Sequence, residues 1–268
     1  MKTAPAAIAL GFLAGCGTFG VEVVEREVKA SHPADGIARV TADLSVEGEV
    51  NARGGGSAID AAMSVEAWIE PGASAALLDR VRIAMEEASA TLAVEPDTKG
   101  AGTEQIVLQD LDLILASPLA LDLEVSHGDV SVSDLDGPVG IHAPDSAVSL
   151  ERTGPVDVEA REVTAEIAGG GIIATTGVGA VTIDVLGSDF DQLLVTTETG
   201  PVTIHLPADR GWDIELSTSG EATATVDLGG LSCGGAGGDP CDSIRFGEGG
   251  PLIRVESSGG AIAVDDLR

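Results

Sequence analysis

Four histidines, three cysteines and 44 carboxylates are the residues of this 268-residue chain with the chemistry for catalysis or metal binding. Their spacing decides what they do. Glycoside hydrolysis needs two carboxyl groups facing each other across the sugar. Asp134, Asp136 and Asp145 are the nearest candidates for such a cluster, but Gly137, Pro138 and Pro144 punctuate that stretch. Asp in such a setting ordinarily makes a turn. His32, His127, His142 and His205 have no metal-like partner at short spacing, and they read as solvated strand residues. There is no G-x-S-x-G elbow, no G-K-[ST] phosphate loop, no H-E-x-x-H and no dinucleotide fingerprint. Gly234-Gly235-Ala236-Gly237-Gly238-Asp239 matches the start of a calcium-binding nonapeptide once. Such sites need tandem copies, so the segment reads as a Gly-rich loop. No catalytic residue, metal site or cofactor is expected. The alternative is diffuse calcium binding, since a net charge of −30 sets carboxylates against one another and oxygen-ligated calcium offsets that repulsion.

The cysteines point elsewhere. Lys2 precedes a short apolar run, Ala4 to Ala14, which ends in Leu13-Ala14-Gly15-Cys16. The run is far shorter than the roughly 20 residues that span a bilayer. The four-residue box resembles the cleavage site of bacterial lipoproteins. That resemblance implies a signal peptide over 1–15, removal before Cys16, and lipid on the Cys16 thiol and amino group. Residues 16–35 are expected to be a lipidated tether, with a weak alternation that marks a first strand. Gly17 after the Cys favours an outer membrane, by the sorting rule of enteric lipoproteins, if the cell has one. Removing Cys16 leaves an even pair, Cys233 and Cys241, in an oxidising compartment. A disulfide between them is expected; free thiols or a shared metal are the alternatives, and no His or further Cys lies beside them.

The elements that must carry these residues are strands. Hydrophobic residues make up 44% of the chain, aromatics 2%, and there are 36 Gly and no Tyr. Such a core is Val, Ile, Leu and Ala closed by many turns. Val40 to Val46 and Met63 to Ile69 alternate apolar and polar, one face buried and one wet. Ser74 to Leu78 reads as one helical turn with Ser74 as N-cap. Val81, Ile83 and Met85 favour a strand over a longer helix, and Thr91 to Val94 is its return.

Beyond about residue 100 the sequence repeats. The unit is Ser or Thr, a Gly, any residue, then an aliphatic–polar–aliphatic triplet. It occurs around Gly128, Gly154, Gly179, Gly200, Gly220 and Gly259, and more loosely at Gly137. The step is roughly 17 to 21 residues, within the range of repeat architectures. One such unit cannot bury its own apolar face, but stacked units can. The expected fold is therefore all-β: a β-solenoid-like stack of short strands, roughly 20 residues per repeat, with these glycines at the corners. A narrow layer leaves no room for large rings. The repeat domain is expected over 36–268, with 36–100 a divergent N-terminal part.

Leu121 to Val132, Thr197 to Leu206, Ser217 to Val226 and Ile253 to Val264 carry a resemblance. Apolar strand, Ser/Thr-Gly, apolar strand and a strand-ending Pro (Leu206-Pro207) together resemble the bacterial "putative adhesin" β-strand-repeat domain, a domain of unknown function. The resemblance implies a β stack outside a bacterial cell, and no catalytic residues. The loop between Cys233 and Cys241 is a departure from it. The expected role is that of a non-catalytic, lipid-anchored envelope protein offering an acidic surface to a protein or glycan. A sensory or stress-linked envelope module and a glycan-acting β-helix enzyme are the alternatives. The charge excludes nucleic acid held by phosphate neutralisation.

Overall fold

The computed structural model describes residues 22–44, 47–69, 75–97, 106–187, 189–219, 222–234 and 241–267. The protein is all-β, and its 21 strands join one hydrogen-bonded sheet. In chain order β1 is Glu22–Pro33, β2 Arg39–Leu44, β3 Val50–Arg53 and β4 Ala58–Ile69. Then come β5 Arg82–Ala88, β6 Thr91–Asp97, β7 Ile106–Ile114, β8 Ala120–Val125 and β9 Val130–Ser133. Two long strands follow, β10 Val139–Thr153 and β11 Val156–Ile167. The rest are β12 Gly170–Thr176, β13 Val181–Val185, β14 Phe190–Thr197, β15 Val202–Leu206, β16 Trp212–Thr218 and β17 Ala224–Leu228. The last four are β18 Leu231–Gly234, β19 Ser243–Phe246, β20 Leu252–Ser257 and β21 Ile262–Asp266. The 3-10 segment Ala75–Arg80 stands where one helical turn was expected.

Most pairings are parallel and fall into two ladders. One runs β6-β2-β8-β10-β11-β12-β14-β20-β16. The other runs β7-β3-β9-β10-β11-β13-β15-β21-β17. β10 and β11 serve both ladders, and their mutual register shifts between Ala143 and Ala147. Because the side-chain period is two, every second residue points inward and like stacks on like. Leu121, Val139, Val156, Ile172, Leu193 and Ile253 form one buried column. Val130, Val148, Val163, Val181, Val202 and Ile262 form the other. Each such side chain contributes about 1.5–3 kcal/mol on burial.

Chain order and layer order differ at both ends. β6 and β7 lie outside β2 and β3, although they follow them in sequence. β20 and β21 lie between the β14/β15 layer and the β16/β17 layer, although they come last. Antiparallel strands then cover the ladder ends. β4 pairs with β7, β1 with β4, and β5 with β6. At the other end β18 pairs with β17, and β19 with β16. This blunts what would be long open edges.

Two expectations need correction. The stretch read as a tether is β1 from Glu22 onward, paired with β4 along its whole length. The core does hold a large ring: Trp212 is fully buried, 6.0 Å from Phe190 in an edge-to-face contact, and its indole N–H donates to the Pro207 carbonyl at 2.9 Å. The layer between their two strands begins only at Leu252, which pairs with Gln192 and Asp213, past both Phe190 and Trp212, so the rings meet across the gap. Within the part read as divergent, Gly48-Glu49-Val50-Asn51-Ala52 keeps the glycine and the aliphatic–polar–aliphatic triplet of the motif, and β3 at its centre stacks on β9.

Candidate functional site

The outward residues of the ladders form straight rows. On the first ladder Thr41, Asp122, Gly140, Asp157 and Ile173 lie side by side. Next to them run Asp43, Glu124, His142, Glu159 and Thr175. Gly140 brings no side chain to its row, and a Cβ there would stand 2.8 Å from the Asp122 carboxylate. The result is a shallow groove of about 570 Å³, lined by Glu95 and by these residues up to Asp157 and Glu159. A second dip of about 420 Å³ continues it past Pro138, Pro155 and Gly171 to Gln192.

The groove is acidic and open. Arg39 pairs with Asp122, and the His142 Nδ1 lies 3.0 Å from Glu159 Oε2. Among the described residues Asp43, Glu95, Glu124 and Asp157 have no ion-pair partner. Both members of the His142–Glu159 pair are 55% exposed. The second ladder carries a row of hydroxyls and amides, Asn51, Ser131, Ser149, Thr164, Thr182 and Thr203. Beside it runs Glu151, Glu166, Asp184, His205, Asp265 and Asp227. His205 bonds Asp184 through Nδ1. These rows escaped the sequence reading, yet the signal was there. Glu124, His142 and Glu159 follow one another at the repeat step, and so do Glu166, Asp184 and His205.

The three carboxylates weighed as a cluster have separate surroundings. Asp134 bonds Arg152 at 2.8 Å, and Asp136 accepts from the Ser117 hydroxyl at 2.6 Å. Asp145 lies exposed at the β10 irregularity. The Arg152 hydrogen bond holds the Asp134 carboxyl below its ordinary value. Among the described residues no three His, Cys, Asp or Glu side chains converge as a metal ion needs. His32 contacts the Pro33 carbonyl at 2.7 Å and faces Glu87 at 3.7 Å, and His127 is exposed just before β9.

Of the corner glycines, Gly128 has φ +115°, and a Cβ there would lie 1.6 Å from the Gly48 carbonyl. Gly179, Gly200 and Gly260 stack directly, each carbonyl under the next α-carbon at distances a Cβ could not tolerate. Gly137 and Gly154 abut the Leu119 and Asp136 carbonyls in the same way. The reason is thus mostly close backbone approach. In the last copy the tight position is Gly260, where Gly259 was expected. Cys233 and Cys241 form a disulfide, Cα atoms 5.8 Å apart. Leu13, Ala14, Gly15, Cys16 and Gly220 lie outside the described residues, as does the Gly-rich loop after Gly234.

No protein-family model matches the chain, and no curated protein matches it. Among solved structures it is similar to a "putative cell adhesion protein" from Clostridium sporogenes, at 13% identity and a TM-score of 0.37, covering 91% of this chain and 100% of that one. A "putative lipid binding protein" from Parabacteroides distasonis matches at 12% and 0.36, covering 91% and 96%. A "putative adhesin" from Bacteroides fragilis matches at 12% and 0.34, covering 92% and 97%. Likeness this low carries no argument about role. Among the described residues no helix is long and apolar enough to cross a membrane.

Proposed function

We propose that this is a non-catalytic, lipid-anchored cell-envelope protein that presents an acidic β surface to a protein or glycan partner. The observation that carries the reading is the pair of outward faces: straight polar rows running from layer to layer, with a shallow, open acidic groove along one of them. The two ladders form a coil of nine stacked layers, β6/β7, β2/β3, β8/β9, β10, β11, β12/β13, β14/β15, β20/β21 and β16/β17. At about 4.8 Å per layer the stack is about 40 Å long. The Leu13-Ala14-Gly15-Cys16 box supplies the anchor. The Cys233–Cys241 disulfide fits an exported, oxidising location.

Labelled palmitate is expected to enter the wild-type protein and not Cys16→Ala; equal labelling overturns the anchor. Incubated with acidic and neutral polysaccharides, the protein is expected to retain some of them on a column and shorten none. Release of oligosaccharides that is lost in His142→Ala would restore the glycan-acting enzyme.

A further inference from the structure

The geometry points to a second contact with the bilayer, made by Trp68 and Val23 at the end of the molecule where the anchor enters. The proposal rests on the lipid-anchor reading and adds to it a built interface that holds the stack in a defined orientation. Trp68 on β4 and Val23 on β1 are register partners in the outermost antiparallel pair. Each is 54% exposed, whereas Trp212, the chain's other tryptophan, is fully buried. Trp68 has its indole N–H bonded to Glu66 Oε1 at 3.0 Å, so the ring offers its apolar body without leaving a polar group unpaired. A ring of that kind favours the membrane–water boundary.

Two further observations choose a lipid surface over another occupant. The first is reach. Glu22 opens β1 six residues after Cys16, and six residues span at most about 20 Å. A lipidated Cys16 therefore holds Val23 close to the headgroups. The second is the gradient along the strand pair. Past Val23 and Trp68 the exposed positions become Glu25, Glu27, Lys29, Ser64 and Asp60, so the apolar end is the one beside the anchor. Glu25 and Glu66, opposite each other, set an acidic rim. The surface that fits is accordingly zwitterionic, and anionic lipid is disfavoured.

The test uses the mature chain from Cys16 onward, coupled through the Cys16 thiol to a maleimide-bearing lipid in phosphatidylcholine vesicles. The disulfide leaves Cys233 and Cys241 unreactive. With no Tyr and two Trp in the sequence, subtracting the emission of Trp68→Phe from that of the wild type isolates Trp68. On coupling, the Trp68 emission is expected to move to shorter wavelength. Acrylamide is expected to lose most of its access, and brominated lipid to quench the wild type but not Trp68→Phe. Unchanged acrylamide access with no quenching by brominated lipid overturns the interface. Native palmitate labelling is read separately. Label without Trp68 burial sinks the interface and keeps the anchor; Trp68 burial without native label sinks the anchor and keeps the lipid affinity of the patch.

Discussion

Single residues in this fold are constrained chiefly by what lies one layer away. A Cβ at Gly200 would stand 1.7 Å from the Gly179 carbonyl, whereas one at Gly177 meets nothing. Gly200→Ala is therefore expected to lower stability by about 3 kcal/mol, with Gly177→Ala within about 0.5 kcal/mol of wild type; urea midpoints measure both. The β5–β6 turn places Ser89 and Ala90 at φ +52° and +65°, the backbone that a two-residue hairpin normally gives to Asn-Gly. Ala90→Gly is expected to raise stability by about 1 kcal/mol, and a fall would refute the turn geometry. Asp134 is held below its ordinary value by Arg152. A depressed carboxylate stabilises above its unfolded value and loses that contribution as pH falls through its folded value. In Arg152→Ala the Asp134 carboxyl resonance is expected to titrate at higher pH. The glycines were legible as a repeat because each sits at a fixed place beside an aliphatic triplet. The cause was not. Positive φ and close approach leave the same letter in a sequence, and Gly259 and Gly260 cannot be told apart without the neighbouring layer.

Among the elements, the covering strands matter most, because a parallel ladder has no natural end. β18 and β19 close one end, and the disulfide joins Cys233 in β18 to Cys241, just before β19, across a separation of eight residues. Reduction or Cys241→Ser is expected to cost about 2.5 kcal/mol by loop closure, read from denaturation with and without reductant. At the other end β1 carries Glu25, Glu27 and Lys29 on exposed positions. Charge on an edge strand opposes pairing with a second molecule. Glu25→Val with Glu27→Val is expected to give concentration-dependent association in light scattering, and a strictly monomeric double variant would refute that role. Strands such as β2 and β4 were legible because alternation of apolar and polar residues has one structural meaning. Their neighbours were not. The β16/β17 and β20/β21 segments both carry the motif, and either satisfies the same aliphatic column. The short connection from Leu206 to Trp212 and the excursion through β18 and β19 carry the order; Pro207 and the cysteine pair mark both in the sequence, but neither says which layer the next strand joins.

For the whole molecule the dominant long-range force is self-repulsion. Glu151, Glu166 and Asp184 are successive neighbours in one row, and Asp265 and Asp227 in its continuation, within a chain of net charge −30. Like charges set about 4.8 Å apart destabilise one another. Raising NaCl from about 10 mM to about 150 mM shortens the screening length to about 8 Å and is expected to raise Tm. Calcium is expected to do so further than magnesium at equal ionic strength only where carboxylates ligate it, and equal responses remove a specific calcium role. The two ends of the stack are unequal in another respect. Residues 252–266 are made after the strands on either side of them, β14/β15 and β16/β17, yet their slot lies between the two. A nascent chain builds those walls first, and the gap between them closes only when this segment threads in. A stop codon near position 250 would thus not trim a tip. It would leave two raw ladder edges facing each other across an empty storey, and quality-control proteases would meet a molecule broken in its middle.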